Sequence, residues 1–340
     1  MPKNDLQGLI LFLIVITLPY LVFLVLPQRL RPHFPPSHIR MVPWLGAVVI
    51  LCFLILFILH GAAADYIPQL KAIKNPWRQL VASAWFINPE LVLVFLLLWP
   101  ALPYSAPISA KRVLRNVGLG ILTWSLITPA VVAIHFVVNW IWQFAGPVPE
   151  HALITELRLN RAETTYWALV AMEAVALAPL REELFFRGIL QPWILQRRWG
   201  GDVAFALAAI AGFLFVGDVS WKLAIQPVIF VFVVVFTLSL LERLLPAIPM
   251  SRPRWWRTLF PPLAHGIAIT GAELRRGIVG VSVLFAMLHA QSWPDPIALT
   301  VLGIGLGWLA WRTQSLAAPV VCHALFNVMS LAQLRFGSAP

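Results

Sequence analysis

Ten apolar runs separated by polar connections make up most of the 340 residues: about 9–26, 43–60, 80–102, 117–144, 166–198, 203–217, 224–241, 278–291, 296–311 and 316–332. A helix rises 1.5 Å per residue, so roughly 17–25 apolar residues cross the hydrocarbon core of a bilayer, and these runs centre on that length. The run at 203–217 is short for a crossing and reads with 224–241 as a hairpin around Gly217, Asp218 and Lys222. The pattern predicts an all-α polytopic membrane protein with about 8–10 transmembrane helices. Helices of unassigned role fill 1–150, and a second helical unit occupies 166–335, with the hairpin and a Pro-rich basic loop inserted at about 203–276. Pro179 is a candidate break in the fifth span.

Composition agrees with the pattern: 60% of the residues are hydrophobic and 11% are charged. The net charge of +11 could mark a nucleic-acid partner. The basic residues are, however, dispersed through connecting loops, with no single stripe and interleaved aromatics, so no nucleic-acid partner is expected. Positive-inside bias and anionic lipid headgroups account for the charge. That bias puts the loop containing Arg252, Arg254, Arg257, Arg275 and Arg276 on the cytoplasmic side, while Lys71, Lys74 and Arg78 run against it. The aromatic pair Trp255 and Trp256 in that loop reads as an interfacial anchor, as do Trp140 and Trp142. Only two cysteines occur, Cys52 and Cys322, which excludes a disulfide framework and a zinc-finger spacing. The first apolar run lacks a small-residue cleavage pattern and reads as an uncleaved span. The expected location is the plasma membrane or a bacterial inner membrane, with the bilayer as the first partner.

Against this background the segment Leu180–Ile189, Leu-Arg-Glu-Glu-Leu-Phe-Phe-Arg-Gly-Ile, is anomalous. Ionised groups at bilayer depth cost several kcal/mol, and they persist where they pair, line a wet cavity or do chemistry. Glu183 and Arg187 are four apart on one helix face and can pair. Glu182 points about 100° away and lacks that partner. Glu183 is therefore the structural acid and Glu182 the working one. Later spans add His289, then His323 and Asn327, the last two sharing a face. At 1.5 Å per residue, His289 is roughly 20 Å from Arg276, His323 roughly 17 Å from Arg312 and Glu182 roughly 22 Å from Arg197, so all three fall near one depth. His135, Glu90 and Glu173 have no such matching set and read as structural. Cys322 diverges from His323 by about 100° and reads as a small buried residue.

Such a set supports amide hydrolysis by either of two routes. A carboxylate and an imidazole can take a proton from water while a second imidazole and a carboxamide bond the developing oxyanion. Alternatively, Glu182, His289 and His323 are three ligands of a divalent metal such as zinc, whose bound water is acidified. No His-Glu-x-x-His helix is present.

Glu182-Glu183-x-x-x-Arg187, Phe285-x-x-x-His289 and His323-x-x-x-Asn327, in that order on separate helices, resemble the signature of the CAAX prenyl protease and bacteriocin-processing family, also called the Abi family. The run Gly303–Arg312 followed by Thr313-Gln314-Ser315-Leu316 and Pro319 is similar to the family's connection between its second and third motifs. The resemblance covers about Ala178–Leu331 and implies an intramembrane endopeptidase acting on a membrane-anchored protein or peptide, with CAAX-type processing as one form. By carry-over, Glu182 and His289 activate water, His323 and Asn327 form the oxyanion site, and Glu183 with Arg187 holds the first motif. About a hundred residues separate Arg187 from His289, a longer connection than the family pattern has. An even number of added passes would leave the motif helices in their original relative directions. The competing reading is a non-catalytic transporter, immunity or scaffold protein that uses the same polar cluster for binding.

Overall fold

The computed structural model describes residues 42, 46–59, 94, 109–144, 164–197, 199–216, 221–244 and 271–336. The predicted runs at 9–26 and 80–102 (Val94 apart), Glu90, and most of the loop at 242–276 lie outside the described residues. Everything with regular structure among the described residues is helical. Helix α1 is Gly46–Phe53, continued by a wide π turn over Leu54–Leu59. Helix α2 is Ala110–Trp142. Helix α3 is a continuous rod from Thr164 to Leu195, built as α over Thr164–Met172, π over Glu173–Leu177, α over Ala178–Glu183, π over Leu184–Leu190 and α over Gln191–Leu195. Then follow α4 Gly200–Leu214, α5 Trp221–Leu244, α6 Gly271–Met287, α7 Pro296–Thr313 and α8 Ala317–Phe336.

Two boundaries depart from the sequence reading. Helix α2 starts at Ala110, so Lys111, Arg112 and Arg115 lie inside its first turns; the Ser109 side chain accepts from Arg112 N at 3.2 Å and sets that start. Helix α6 ends at Met287, so His289 stands in the turn into α7, not within a span. Beyond it the bonding tightens, His289 N to Ala286 O, a 3₁₀ turn covers Ala290–Ser292, and Pro294 and Pro296, which lack an N–H, keep the ladder from resuming before α7.

Close contacts fix the helix directions. Arg187 and Gln191 of α3 meet Gly303 and Gly307 of α7 in the same order, so these helices are parallel. A Cβ at Gly201 would stand 2.9 Å from Arg276 Cβ, one at Gly280 3.0 Å from Ala204 Cβ, and one at Gly212 3.0 Å from Met287 Sδ. Thus α4 accompanies α6 along its length in the same direction. Glycine on these faces lets two backbones approach, the usual device where water supplies no hydrophobic push between helices. Helices α6 and α8 both run opposite to α3.

The three glycines of Gly303-Ile-Gly-Leu-Gly307 serve three neighbours. A Cβ at Gly303 would press on Ser282 of α6, at Gly305 on Ile127 of α2, and at Gly307 on Gln191 of α3. Helix α7 is thereby the central post of the bundle, with Leu302, Leu306 and Leu309 fully buried.

Outward faces are apolar: Ile210 and Leu214 of α4 and Phe232 and Phe236 of α5 are all more than half exposed. Exposed apolar side chains of that kind suit hydrocarbon. Ala110–Trp142 and Ala317–Arg335 are each long and apolar enough to cross a membrane; Gly46–Phe57, Gly200–Leu214 and Ile225–Leu241 are apolar but shorter.

Candidate active site

Each π turn of α3 comes just before a proline, and the sequence explains why. Proline lacks an N–H, and its ring collides with the carbonyl four residues back. Before Pro179, the amide of Ala178 reaches five back to Glu173 O; before Pro192, the amide of Gln191 reaches five back to Phe186 O. Widening the turn moves the carbonyls off the ring and leaves the helix unbroken, contrary to the expectation of a break at Pro179. It also leaves Ala174 O without a partner inside its own helix, since the residue five ahead is Pro179. Asn327 Nδ2 of α8 donates to that oxygen at 2.7 Å.

Glu183 and Arg187 are fully buried and paired, Nη1 to Oε1 at 3.1 Å, as their spacing predicts. Two further bonds hold them. Arg187 Nη2 donates to Gly303 O at 3.2 Å, and His323 Nδ1 donates to Glu183 Oε1 at 2.9 Å. A carboxylate only accepts, so the proton on that bond belongs to Nδ1, and Nε2 is turned outward. His323 Nε2 is 3.9 Å from Glu182 Oε2. Glu182, with 15% of its side chain exposed, is the open member of the acidic pair, while the Glu183 side chain is sealed.

Phe285 joins the second motif to this group. Its ring lies under the Arg187 guanidinium at 4.6 Å, packs edge-on to Phe186 at 5.3 Å and to His323 at 5.8 Å, and meets His289 at 5.3 Å. His289 Nδ1 donates to Phe285 O at 3.1 Å, which again leaves Nε2 outward. The structure thus brings Glu182, Glu183, Arg187 and His323 into direct contact, sets His289 beside the Phe285 ring, and ties Asn327 to α3. Phe285, the first residue of the second motif, thus joins His289 to the buried pair through its ring.

Residues 164–249 and 255–329 match the family model described as type II CAAX prenyl endopeptidase, Rce1-like. The chain belongs to the CAAX prenyl protease family. It is a CAAX protease-like peptidase of a membrane-embedded family, acting in general on membrane-anchored protein. No curated protein and no solved structure matches the chain. The matched segments include α4 and α5 as well as the three motif helices.

The other polar groups of this CAAX protease-like chain have structural partners. Glu173 accepts from buried Arg181 at 2.7 Å. His135, read as structural, pairs through Nδ1 with Asp295 at 3.1 Å, and Asn139 donates to Asp295 at 3.4 Å. These two contacts, with Trp293 edge-on to Trp142 at 6.1 Å, fasten the α6–α7 turn that holds His289 to α2. Cys52 and Cys322 are buried and free. Among the described residues no three His, Cys, Asp or Glu side chains gather closely enough to hold a metal ion. Glu182, His289 and His323 are not such a group as packed.

Proposed function

We propose that this chain is an intramembrane endopeptidase that hydrolyses a peptide bond of a membrane-anchored protein or peptide, using water activated by Glu182. The observation that carries this reading is the position of His323, locked by Nδ1 on sealed Glu183 with Nε2 turned toward open Glu182. Glu182 accepts the proton of the attacking water, and His289 Nε2, free of the helix backbone, accepts the second hydrogen bond that orients it. His323, as an imidazolium with Nδ1–H on Glu183, donates through Nε2–H to the carbonyl oxygen as it becomes an oxyanion, and the remaining Asn327 amide hydrogen faces the same atom. The charge of that imidazolium is balanced by Glu183. Glu182 then returns its proton to the leaving amine. Glu183 and Arg187 position the group, and the helices of the bundle cross the bilayer so that this site is open to the cytoplasmic side. CAAX-type trimming of a lipid-modified C-terminus is the form of the reaction that the family description favours.

Cleavage of membrane-anchored peptides by purified protein in liposomes tests the reading, comparing wild type with Glu182→Gln and His289→Ala, with and without a chelator. Loss of cleavage in both variants is expected. Undiminished cleavage by Glu182→Gln would remove the mechanism, and loss of wild-type cleavage with chelator would assign water activation to a divalent ion instead.

A further inference from the structure

His289 stands between two supports. Its amide and its ring reach back to α6, to Ala286 O at 2.9 Å and Phe285 O at 3.1 Å, while its carbonyl belongs to the turn ahead. That carbonyl accepts from Ser292 N at 3.0 Å and from Ser292 Oγ at 2.9 Å. Trp293 N donates to Ala290 O at 3.0 Å, and Asp295 N to Ser292 O at 2.9 Å. Bonds of such short span make residues 289–295 one unit, so a hold on Asp295 is also a hold on His289.

Asp295 immediately precedes α7, where an aspartate usually turns its side chain back to the free amides of its own helix. Here it makes no such bond. Its Oδ1 instead accepts from His135 Nδ1 at 3.1 Å and from Asn139 Nδ2 at 3.4 Å, both of α2. The other amide hydrogen of Asn139 goes to His135 O at 2.9 Å, which sets the direction of the first. At the centre of the unit, buried Trp293 meets Trp142 of α2 edge-on at 6.1 Å and Phe230 of α5 at 6.2 Å. Apolar packing is non-directional, so these rings set where the turn lies. Hydrogen bonds depend on angle, so the bonds at Asp295 set which way it faces.

We propose that Asp295 is a positioning residue for the peptidase reaction: held by His135 and Asn139, it fixes the facing of the 289–295 turn and with it the His289 ring that orients the attacking water. The effect on the reaction rests on the peptidase reading above; the hold on the turn does not. The side chains of His135 and Asp295 are 53% and 29% exposed, and pairs so open add little to overall stability. Their effect on rate is larger, because a misplacement of about 1 Å in a reacting group can slow a reaction by about 10²-fold.

The test uses the full chain in liposomes and reads backbone amide exchange across 289–295 together with the kinetics of peptide cleavage. Asp295→Ala and His135→Ala should each speed exchange at Ser292, Trp293 and Asp295 several-fold and leave α7 beyond Leu299 unchanged. Each should lower kcat by about 10–10²-fold with KM and melting temperature at the wild-type values. The double variant should lose no more than either single one, since one contact is removed in all three. His135→Gln, which keeps a donor at that place, should recover most of the rate. Should an alanine variant fail to fold, Asp295→Asn, which keeps the volume and loses the charge, carries the same expectation at smaller size. Unchanged exchange in the single variants would overturn the hold on the turn, and faster exchange with undiminished kcat would overturn its role in the reaction. Additive losses in the double variant, or a rise in KM in place of the fall in kcat, would also overturn the proposal. If wild type cleaves and the variants match it, the peptidase stands and the positioning role falls; if wild type cleaves nothing, the peptidase reading fails and exchange alone decides the hold on the turn.

Discussion

His323 of α8 donates to Glu183 of α3 at 2.9 Å, on the same oxygen that receives Arg187. Two donors from different elements thus share one sealed carboxylate oxygen. The acid that reads as purely structural is the pivot on which the third motif turns, and the neighbouring Glu182 is left for the reaction.

Glu182→Gln preserves shape and removes the proton acceptor. Turnover should fall by about 10²–10⁴, the usual contribution of a positioned general base. Thermal unfolding in detergent should be unchanged, because the Glu182 side chain is partly exposed and the fold rests on Glu183. A variant that loses stability along with activity would point to a structural role.

Arg187→Ala strands a fully buried carboxylate. A broken buried pair costs about 3–5 kcal/mol, so the variant should express poorly or melt well below wild type. The double replacement Glu183→Leu with Arg187→Met should recover much of that stability and none of the activity, since His323 then lacks its anchor. Chemical unfolding and peptide cleavage on the same preparations separate the two effects.

Asn327→Ala should leave Ala174 O unbonded, at a cost of about 1–3 kcal/mol. The cost exists because residue 179 is proline. In a Pro179→Ala background the backbone regains a donor, and Asn327→Ala should become nearly neutral for stability. A double-mutant cycle measures this coupling. Additive effects would show that the amide has a different structural task.

Gly303→Val would drive a branched side chain into Ser282 of α6, where even a Cβ would stand 3.0 Å from Ser282 Cβ. Overpacking of this kind costs about 1–3 kcal/mol. Moving α6 away from α7 would also shift Phe285 and His289, so activity should fall further than stability alone explains. Melting temperature and cleavage rate, compared with Ser282→Gly as a compensating second change, test this.

The legible part of the sequence was the part governed by local period and by cost. The pairing of Glu183 with Arg187 followed from a spacing of four and from the expense of charge among apolar residues. The shared face of His323 and Asn327 followed from the same spacing, and both do look toward α3. What each would touch there was not legible, because it depends on two wide turns whose cause, a proline two residues past the end of each segment, acts on backbone carbonyls that no side-chain pattern reveals. His289 was read as mid-span because its apolar run was continuous; the ladder tightens at His289 N to Ala286 O inside that run, where hydropathy carries no sign of it. His135 was read as structural, but its partner Asp295 was not legible, being 160 positions away in sequence and adjacent only after α2 packs on α7.

The wide turn at Leu184–Leu190 makes the spacing of α3 as consequential as its chemistry. One residue is worth about 100° of helix. Deleting any single apolar residue there would let the rod rewind to ordinary pitch and swing Gln191 off the Gly307 carbonyl, without altering hydropathy or charge. Apolar exchanges across this stretch should be forgiven and a change in its length should not, so the segment behaves as a ruler whose graduations are counted and not spelled.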